Sequence, residues 1–314
     1  MTDVFYSLEQ AAQTIEDSVV AIGNFDGVHI GHQAIFEQAR VVADRRGVCV
    51  VGLTFDPHPR AYFRPDQAPT RLTLPEQKYE LMHHYGVDAV VALTFNDDLA
   101  GQTPTEFVES ILVDGLGAVE VVVGADFRFG RKRAGDVEVL AELGGIFGYV
   151  CGVAEFVQWE GETVSSTRIR GAVERGELDA AREMLGRPFR LVGEVVHGDA
   201  RGRTLGFPTA NMEVPKMAMP ASGVYATKLA EAGQQPWTGI TNIGHRPTFE
   251  GDELSVETFV LDDVDKLDLY GKEVELDLYR RIRGEEKFDS PQDLVAQIER
   301  DIEKVRNFFE PGVS

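Results

Sequence analysis

Two cysteines stand in 314 residues, Cys49 and Cys151, each inside an apolar run (Val48–Val51 and Tyr149–Gly152). Their settings fit two buried thiols in a reducing cytoplasm better than a bridge or a metal site. No apolar run approaches the roughly 18 residues of a membrane span, and no basic-then-apolar segment opens the chain. The expectation is a soluble cytoplasmic protein without a membrane role. Lysine is scarce, with 8 Lys against 23 Arg, and acids outnumber bases to leave a net charge of −21. Such a polyanion repels DNA and RNA, so nucleic-acid binding is not expected. Adaptation to high salt and genomic base composition both account for few lysines. The chain lacks internal repeats and low-complexity stretches. It also lacks the Gly-Lys-Ser/Thr of a Walker A loop and the GxGxxG of a dinucleotide site.

What is present divides in two. The length fits two domains of about 150 residues, each able to bury its own core. In the first half, apolar runs at Val19–Ile22, Val48–Phe55, Ala89–Phe95, Val119–Val123 and Tyr149–Phe156 alternate with helical patterns. Ile35, Ala39, Val42 and Ala43 recur at helical spacing, as do Phe107, Ile111 and Leu112. Continuous apolar strands separated by helices predict an α/β, Rossmann-like domain with a parallel sheet covered on both faces. After a helix at Leu178–Leu185 and the stop at Gly186, the pattern changes. Alternating runs at Leu191–Val196, Gly223–Leu229, Thr238–Ile243, Ser255–Leu261 and Lys272–Tyr279 predict a small antiparallel β-barrel. A C-terminal amphipathic helix, Pro291–Phe308, presents Leu294, Ile298, Ile302 and Val305 on one face. The domains are therefore drawn as 1–186 and 187–314.

The strongest local signal is Gly23-Asn-Phe-Asp-Gly-Val-His-Ile-Gly-His32, which follows the first apolar run and opens the first helix. Free backbone N–H groups and the helix dipole favour an anion there. Gly23, Gly27 and Gly31 let the backbone approach a phosphate, and His29 and His32 are spaced to reach the same one. This His-x-Gly-His pattern is that of nucleotidyl transferases, in which a substrate phosphate attacks the α-phosphate of ATP and pyrophosphate leaves. Positioning and charge stabilisation dominate that chemistry. A glycine-rich turn with two surface histidines is the plain alternative. Thr54–Pro59, Gly124–Gly130 and Val164–Arg170 also follow strands and would share one rim of the sheet. Ser165, Ser166 and Thr167 read as helix caps, a role compatible with anion binding beside Arg168. Phe55, Phe63 and Phe127 fit either a core or a flat-ring platform.

In the second half, Gly198, Gly202 and Gly206 lie in one loop able to fold over phosphates. Thr209 and Asn211 alternate with Ala210, so in an extended chain both face one side and offer hard oxygen ligands for Mg²⁺. A glycine-rich hairpin is the alternative. Glu257, between Val256 and Thr258, is either a base for an attacking hydroxyl or a surface-strand acid.

Together Gly23–His32, Thr54–Pro59, Gly124–Gly130 and Ser165–Arg170 resemble the FMN adenylyltransferase half of the bacterial bifunctional riboflavin kinase/FAD synthetase family. Gly206–Asn211, Gly223–Tyr225, Thr241–Gly244 with Arg246–Thr248, and Leu269–Lys272 resemble its riboflavin kinase half. The resemblance runs over about residues 5–306, with the motifs in family order. It implies phosphorylation of riboflavin to FMN by the barrel, then transfer of AMP from ATP to FMN, giving FAD and pyrophosphate. It implies His29 and His32 as catalytic residues at the nucleotide phosphates. Gly23, Phe25, Asp26, Gly31, Asp126, Ser165, Ser166, Thr167 and Arg168 would form the nucleotide site. Phe55, Pro57, His58 and, in the barrel, Arg283 would lie near flavin. In the kinase half Glu257 would be the base, Thr209 and Asn211 would hold Mg²⁺–ATP, and Gly198, Gly202 and Gly206 would line the nucleotide loop. The family usually has His at Phe259 and Asp-Phe at Asp262-Asp263. Partners are then small molecules, namely riboflavin, FMN and ATP, with room for a transient homo-oligomer.

Overall fold

The apolar runs of the first half become the strands of one parallel sheet. In the computed structural model, which describes residues 3–198, 207–248, 251–262 and 268–309, the chain forms two compact units, 1–166 and 167–314.

The first unit contains β1 (Asp3–Phe5), α1 (Leu8–Ala11), β2 (Ser18–Ile22), α2 (Ile30–Arg46), β3 (Cys49–Asp56), α3 (Pro59–Phe63), α4 (Pro75–His84) and β4 (Ala89–Thr94). It continues with α5 (Asp97–Gly101), α6 (Pro104–Phe107), β5 (Ala118–Gly124), α7 (Val137–Phe147), β6 (Val150–Ala154) and a small hairpin of β7 (Gln158–Trp159) and β8 (Glu162–Thr163). The sheet order is β1-β4-β3-β2-β5-β6, all parallel. All five expected strands are present; β1 adds a sixth that three residues were too few to announce. Val19 to Ile22 are all essentially buried because β2 lies mid-sheet with a cluster on each face. One cluster includes Val20, Ile22, Val121 and Ile111; the other includes Val19, Ala21, Phe36 and Ala39. Gly47 caps α2 in the left-handed region at φ 70°, which glycine adopts without a Cβ penalty.

The thiols depart from expectation. Both are free but only half-buried, because Cys49 opens β3 and Cys151 lies on the edge strand β6. Burial nevertheless pushes both thiols up from their ordinary pKa.

The second unit begins with α8 (Ser166–Arg175, its first residue closing the first unit) and α9 (Leu178–Leu185). Strands β9 (Phe189–Val196), β10 (Thr209–Glu213), β11 (Gly223–Glu231), β12 (Trp237–Thr248), β13 (Gly251–Val260) and β14 (Glu273–Arg283) follow, and α10 (Pro291–Phe309) ends it. The strands close a barrel in the order β10-β13-β12-β11-β14-β9, entirely antiparallel. Helix α9 packs on β14 and β9, and Arg280 forks onto Asp179 with both N–O distances at 3.2 Å. That packing groups α8 and α9 with the barrel, whereas the sequence had grouped them with the first domain. Alternation sets the two barrel faces. Thr227, Thr241 and Thr258 point inward and share hydroxyl hydrogen bonds of 2.8 Å each, while Val224, Ala226, Ile240 and Phe259 point outward. The outward set packs on Ile302, Val305, Phe308 and Phe309 of α10; Leu294 and Ile298 are only half-buried. No helix among the described residues is long and apolar enough to cross a membrane.

Candidate active sites

Strands β3 and β4 lie on one side of β2, and β5 and β6 on the other, so the chain reverses direction between β2 and β5. Ligands of open α/β sheets bind beyond the strand ends at such a reversal. The loop Gly23–His29 leaves β2 at that point and runs into α2.

This loop is held in a costly shape. Phe25, Gly27 and Val28 have φ of 51°, 82° and 38°, two of them non-glycine residues in the left-handed region. Strain of this kind persists only where the surroundings over-determine it. Phe25 and Val28 are fully buried, Phe25 against Phe36 at 4.7 Å between ring centroids. The Asp26 carboxylate accepts from the Leu72 and Thr73 amides at 2.9 and 3.3 Å, and the Thr73 hydroxyl accepts from the Gly27 amide at 3.1 Å. Ser166 donates to the Asp26 carbonyl at 2.9 Å, tying the start of α8 to the loop. Finally, the Asn24 carbonyl accepts from the Thr54 hydroxyl at 3.2 Å and from the Lys78 ammonium at 3.4 Å.

His29 is the N-cap of α2 and His32 lies in its first turn. Their rings stack at 3.5 Å, 20° apart, with His32 edge-on to Phe25 at 5.3 Å. Gly31 makes this stack: a Cβ there would lie 3.1 Å from the His29 ring. A Cβ at Gly23 would lie 2.7 Å from the Phe25 ring, so the glycine admits the ring beneath the loop. Phe25 therefore shapes the site from within the core. After β5, Asp126 is exposed and its carboxylate lies 3.4 Å from where a Gly124 Cβ would be. Ser165 is half-buried, Thr167 exposed and Arg168 half-buried; the last two begin the second unit. After β3, His58 caps α3 by accepting from the Arg60 amide, and Asp56 pairs with Arg71 at 2.7 Å. Phe55 meets Phe95 edge-on at 6.1 Å, and Phe95, Tyr62 and Phe63 pack mutually edge-on, with Phe63 63% exposed. Pro57, His58 and this aromatic group thus occupy the strand ends on the β3–β4 side.

In the barrel, Asn211 lies opposite Glu257 in the β10–β13 register, and Glu257 lies opposite Asn242 on β12. Val256 and Thr258 point inward, so Glu257 points outward. The Thr209 hydroxyl lies 3.5 Å from the Glu257 carboxylate, and Ser255 donates to it at 2.9 Å. Gly198 closes on the same spot: a Cβ there would overlap the Asn211 amide at 2.3 Å. Gly202, Gly206 and Asp263 lie outside the described residues, as do the side chains of Arg246, Pro247 and Thr248. Arg283 is engaged by α10, donating at 2.6 Å to Asp301, which is 1% exposed. Among the described residues there is no cluster of three His, Cys, Asp or Glu that could hold a metal.

Sequence reasoning missed Thr73, Lys78, Ser255 and Asn242. Ser255 was findable, two residues before Glu257 on the same strand face. Lys78, in a run of Glu, Gln and Lys, reads as a solvated helix face and is instead 8% exposed.

A family model for FAD synthetase matches residues 11–168, and one for riboflavin kinase matches residues 185–309. The bifunctional riboflavin kinase/FMN adenylyltransferase of Escherichia coli K12 is 39% identical over 304 residues, covering 97% of this chain and 96% of its own. Its namesake in Pseudomonas fluorescens is 40% identical over 295 residues, 94% of each. A crystal structure described as a macrolide-efflux protein from Streptococcus pneumoniae matches with TM-score 0.88 and 32% identity, over 98% of this chain and 99% of that one.

Proposed function

The chain belongs to the bifunctional riboflavin kinase/FMN adenylyltransferase family, and from that premise we propose which of its residues carry each of the two reactions. It phosphorylates riboflavin to FMN and adenylylates FMN to FAD. One observation carries the assignment: His29 and His32 fall in one compact unit, and Thr209, Asn211 and Glu257 in the other.

In the first unit, a phosphate oxygen of FMN attacks the α-phosphorus of ATP and pyrophosphate leaves. The nucleotide phosphates lie at the start of α2, where the helix amides and the stacked pair His29 and His32 offset the growing charge. Ser165 and Ser166 close on them, with Gly23, Asp26, Gly31 and Asp126 lining the pocket. The isoalloxazine ring lies toward Phe55, Pro57 and His58, a position supported by the exposed aromatic group around Phe63.

In the second unit, Glu257 takes the proton of the ribityl 5′-hydroxyl as that oxygen attacks the γ-phosphorus of ATP and ADP leaves. Ser255 orients the carboxylate. Thr209 and Asn211 would hold Mg²⁺ through their side-chain oxygens, with Gly198 beside Asn211. The tight fit of Gly198 on Asn211 and the hard, neutral donor set support this. When bound, the cation neutralises phosphate charge. Arg283 lies on the flavin side. We draw the functional boundary between Gly186 and Arg187 and place the protein in the cytoplasm, in keeping with its free thiols. Its substrates are riboflavin, FMN and ATP, with neither nucleic acid nor membrane as partner.

The test is separation of the steps. Glu257→Ala should abolish FMN formation while supplied FMN is still converted to FAD, and His32→Ala should stop at FMN. Equal loss of both steps in both variants would refute two independent sites.

A further inference from the structure

Lys78 is unlike every other lysine among the described residues. It lies on α4 and is 8% exposed. Its ammonium donates to the Thr54 hydroxyl at 3.0 Å and the Asn24 carbonyl at 3.4 Å, both neutral oxygens. Asp26 and Asp56 bear on it electrostatically, but no carboxylate of the described residues lies within ion-pair distance of it, and Asp56 is already paired with Arg71, whose charge opposes Lys78. The remaining close neighbour is the adjacent Tyr79 ring, 5.4 Å away.

A buried ammonium with only neutral acceptors is expensive. If its task were simply to tie a carbonyl to a hydroxyl, a neutral donor would do so at lower cost. The charge has to serve something else, and its location says what. Asn24 is the residue before the left-handed Phe25, so the ammonium grips the entry of the strained turn that delivers His29 and His32. It also lies behind the loop that must receive a polyanion on a protein carrying −21.

We infer that Lys78 is a positioning residue for adenylyl transfer: it clamps the Asn24–Val28 turn in its phosphate-receiving shape and sets a fixed positive charge behind it. The inference rests on the assignment of that reaction to the Gly23–His32 loop. Charge on the departing pyrophosphate grows in the transition state, so a fixed cation behind the loop acts on kcat more than on KM.

The experiment uses the full-length enzyme with both activities measured on each preparation, which makes riboflavin phosphorylation the internal control. Lys78→Met removes donor and charge; Lys78→Gln keeps a donor and removes only the charge. Both should lower kcat for FAD formation from supplied FMN at least tenfold and leave FMN formation within twofold of wild type. The wild-type rate should also fall as pH rises through about 8, where the buried ammonium gives up its proton, and both variants should lack that decline. Wild-type kcat and pH profile in Lys78→Gln would reduce Lys78 to a structural tie and overturn the inference. Parallel loss of both activities would assign it to general stability and overturn it likewise. His32→Ala, run alongside, separates the premise: if that variant still makes FAD at the wild-type rate, the loop assignment falls, and the inference with it.

Discussion

The buried ammonium of Lys78 also makes a quantitative prediction about stability. Burial lowers it from 10.5 to about 8, and each unit corresponds to about 1.4 kcal/mol. Holding the charge therefore costs the folded state about 3 kcal/mol at pH 7. Lys78→Met removes that penalty and forfeits two hydrogen bonds from a charged donor, worth about 1.5 kcal/mol each, one of them long at 3.4 Å. Part of that loss is avoided, because the Asn24 carbonyl keeps its bond from Thr54 at 3.2 Å. The variant should equal wild type or exceed it by up to about 1 kcal/mol at pH 7. The pH dependence has a definite sign. Below pH 8 the lysine is protonated in both states and the whole penalty stands. Between 8 and 10.5 the unfolded chain keeps the proton that the folded protein has lost, so wild-type stability gains relative to the variant, by about 2 kcal/mol at pH 9.5. The protein has two tryptophans, Trp159 in the first unit and Trp237 in the second. Urea unfolding in a Trp237→Phe background, followed by Trp159 fluorescence from pH 7 to 9.5, measures the gap. A variant less stable than wild type by more than about 1 kcal/mol at pH 7, or a difference that does not move in favour of wild type with rising pH, refutes the reasoning.

Three further outcomes follow from the packing. Gly198→Ala drives a methyl into the Asn211 amide, 2.3 Å from the added carbon, and should slow riboflavin phosphorylation by about 10²-fold while conversion of supplied FMN to FAD stays unchanged. Arg283→Ala leaves Asp301 charged and 1% exposed, with Lys304 at 3.5 Å as partial compensation. Urea unfolding followed at Trp237 should show a loss of about 3 kcal/mol, largely recovered by removing the acid as well in Arg283→Met/Asp301→Leu. Gly117→Ala combines φ 56° with an added carbon 1.8 Å from the Glu16 carbonyl. It should destabilise the first unit by at least about 3 kcal/mol, read at Trp159 in the same assay.

Much of the fold is legible because local chemistry and final environment agree. The central strands are apolar on both faces, as a doubly covered sheet demands. The helix stops at Gly47 and Gly186 both adopt the left-handed conformation their position implies, at φ 70° and 71°. Elements whose stability comes from partners were harder to see. Strand β1 has three residues and exists by pairing with β4. Strand β10 exists by pairing with β13 and β9, and the polar sequence Thr-Ala-Asn reads as a loop edge until that pairing is known. Helix α9 carries no local mark of the unit it joins; Arg280 on Asp179 decides it.

The sequence by itself determined the chemistry on offer. His-x-Gly-His at a helix start, a glycine loop, and alternating Thr209 and Asn211 are properties of spacing and residue type, and spacing survives folding. Tertiary structure alone decided which groups meet and which charges lose water. It set Glu257 opposite Asn211, turned Asp26 toward the amides of Leu72 and Thr73, gave Arg283 to Asp301, and buried Lys78 behind the phosphate loop. The reason is physical: desolvation and cross-strand register are long-range properties of a packed chain, and no window of neighbouring residues contains them.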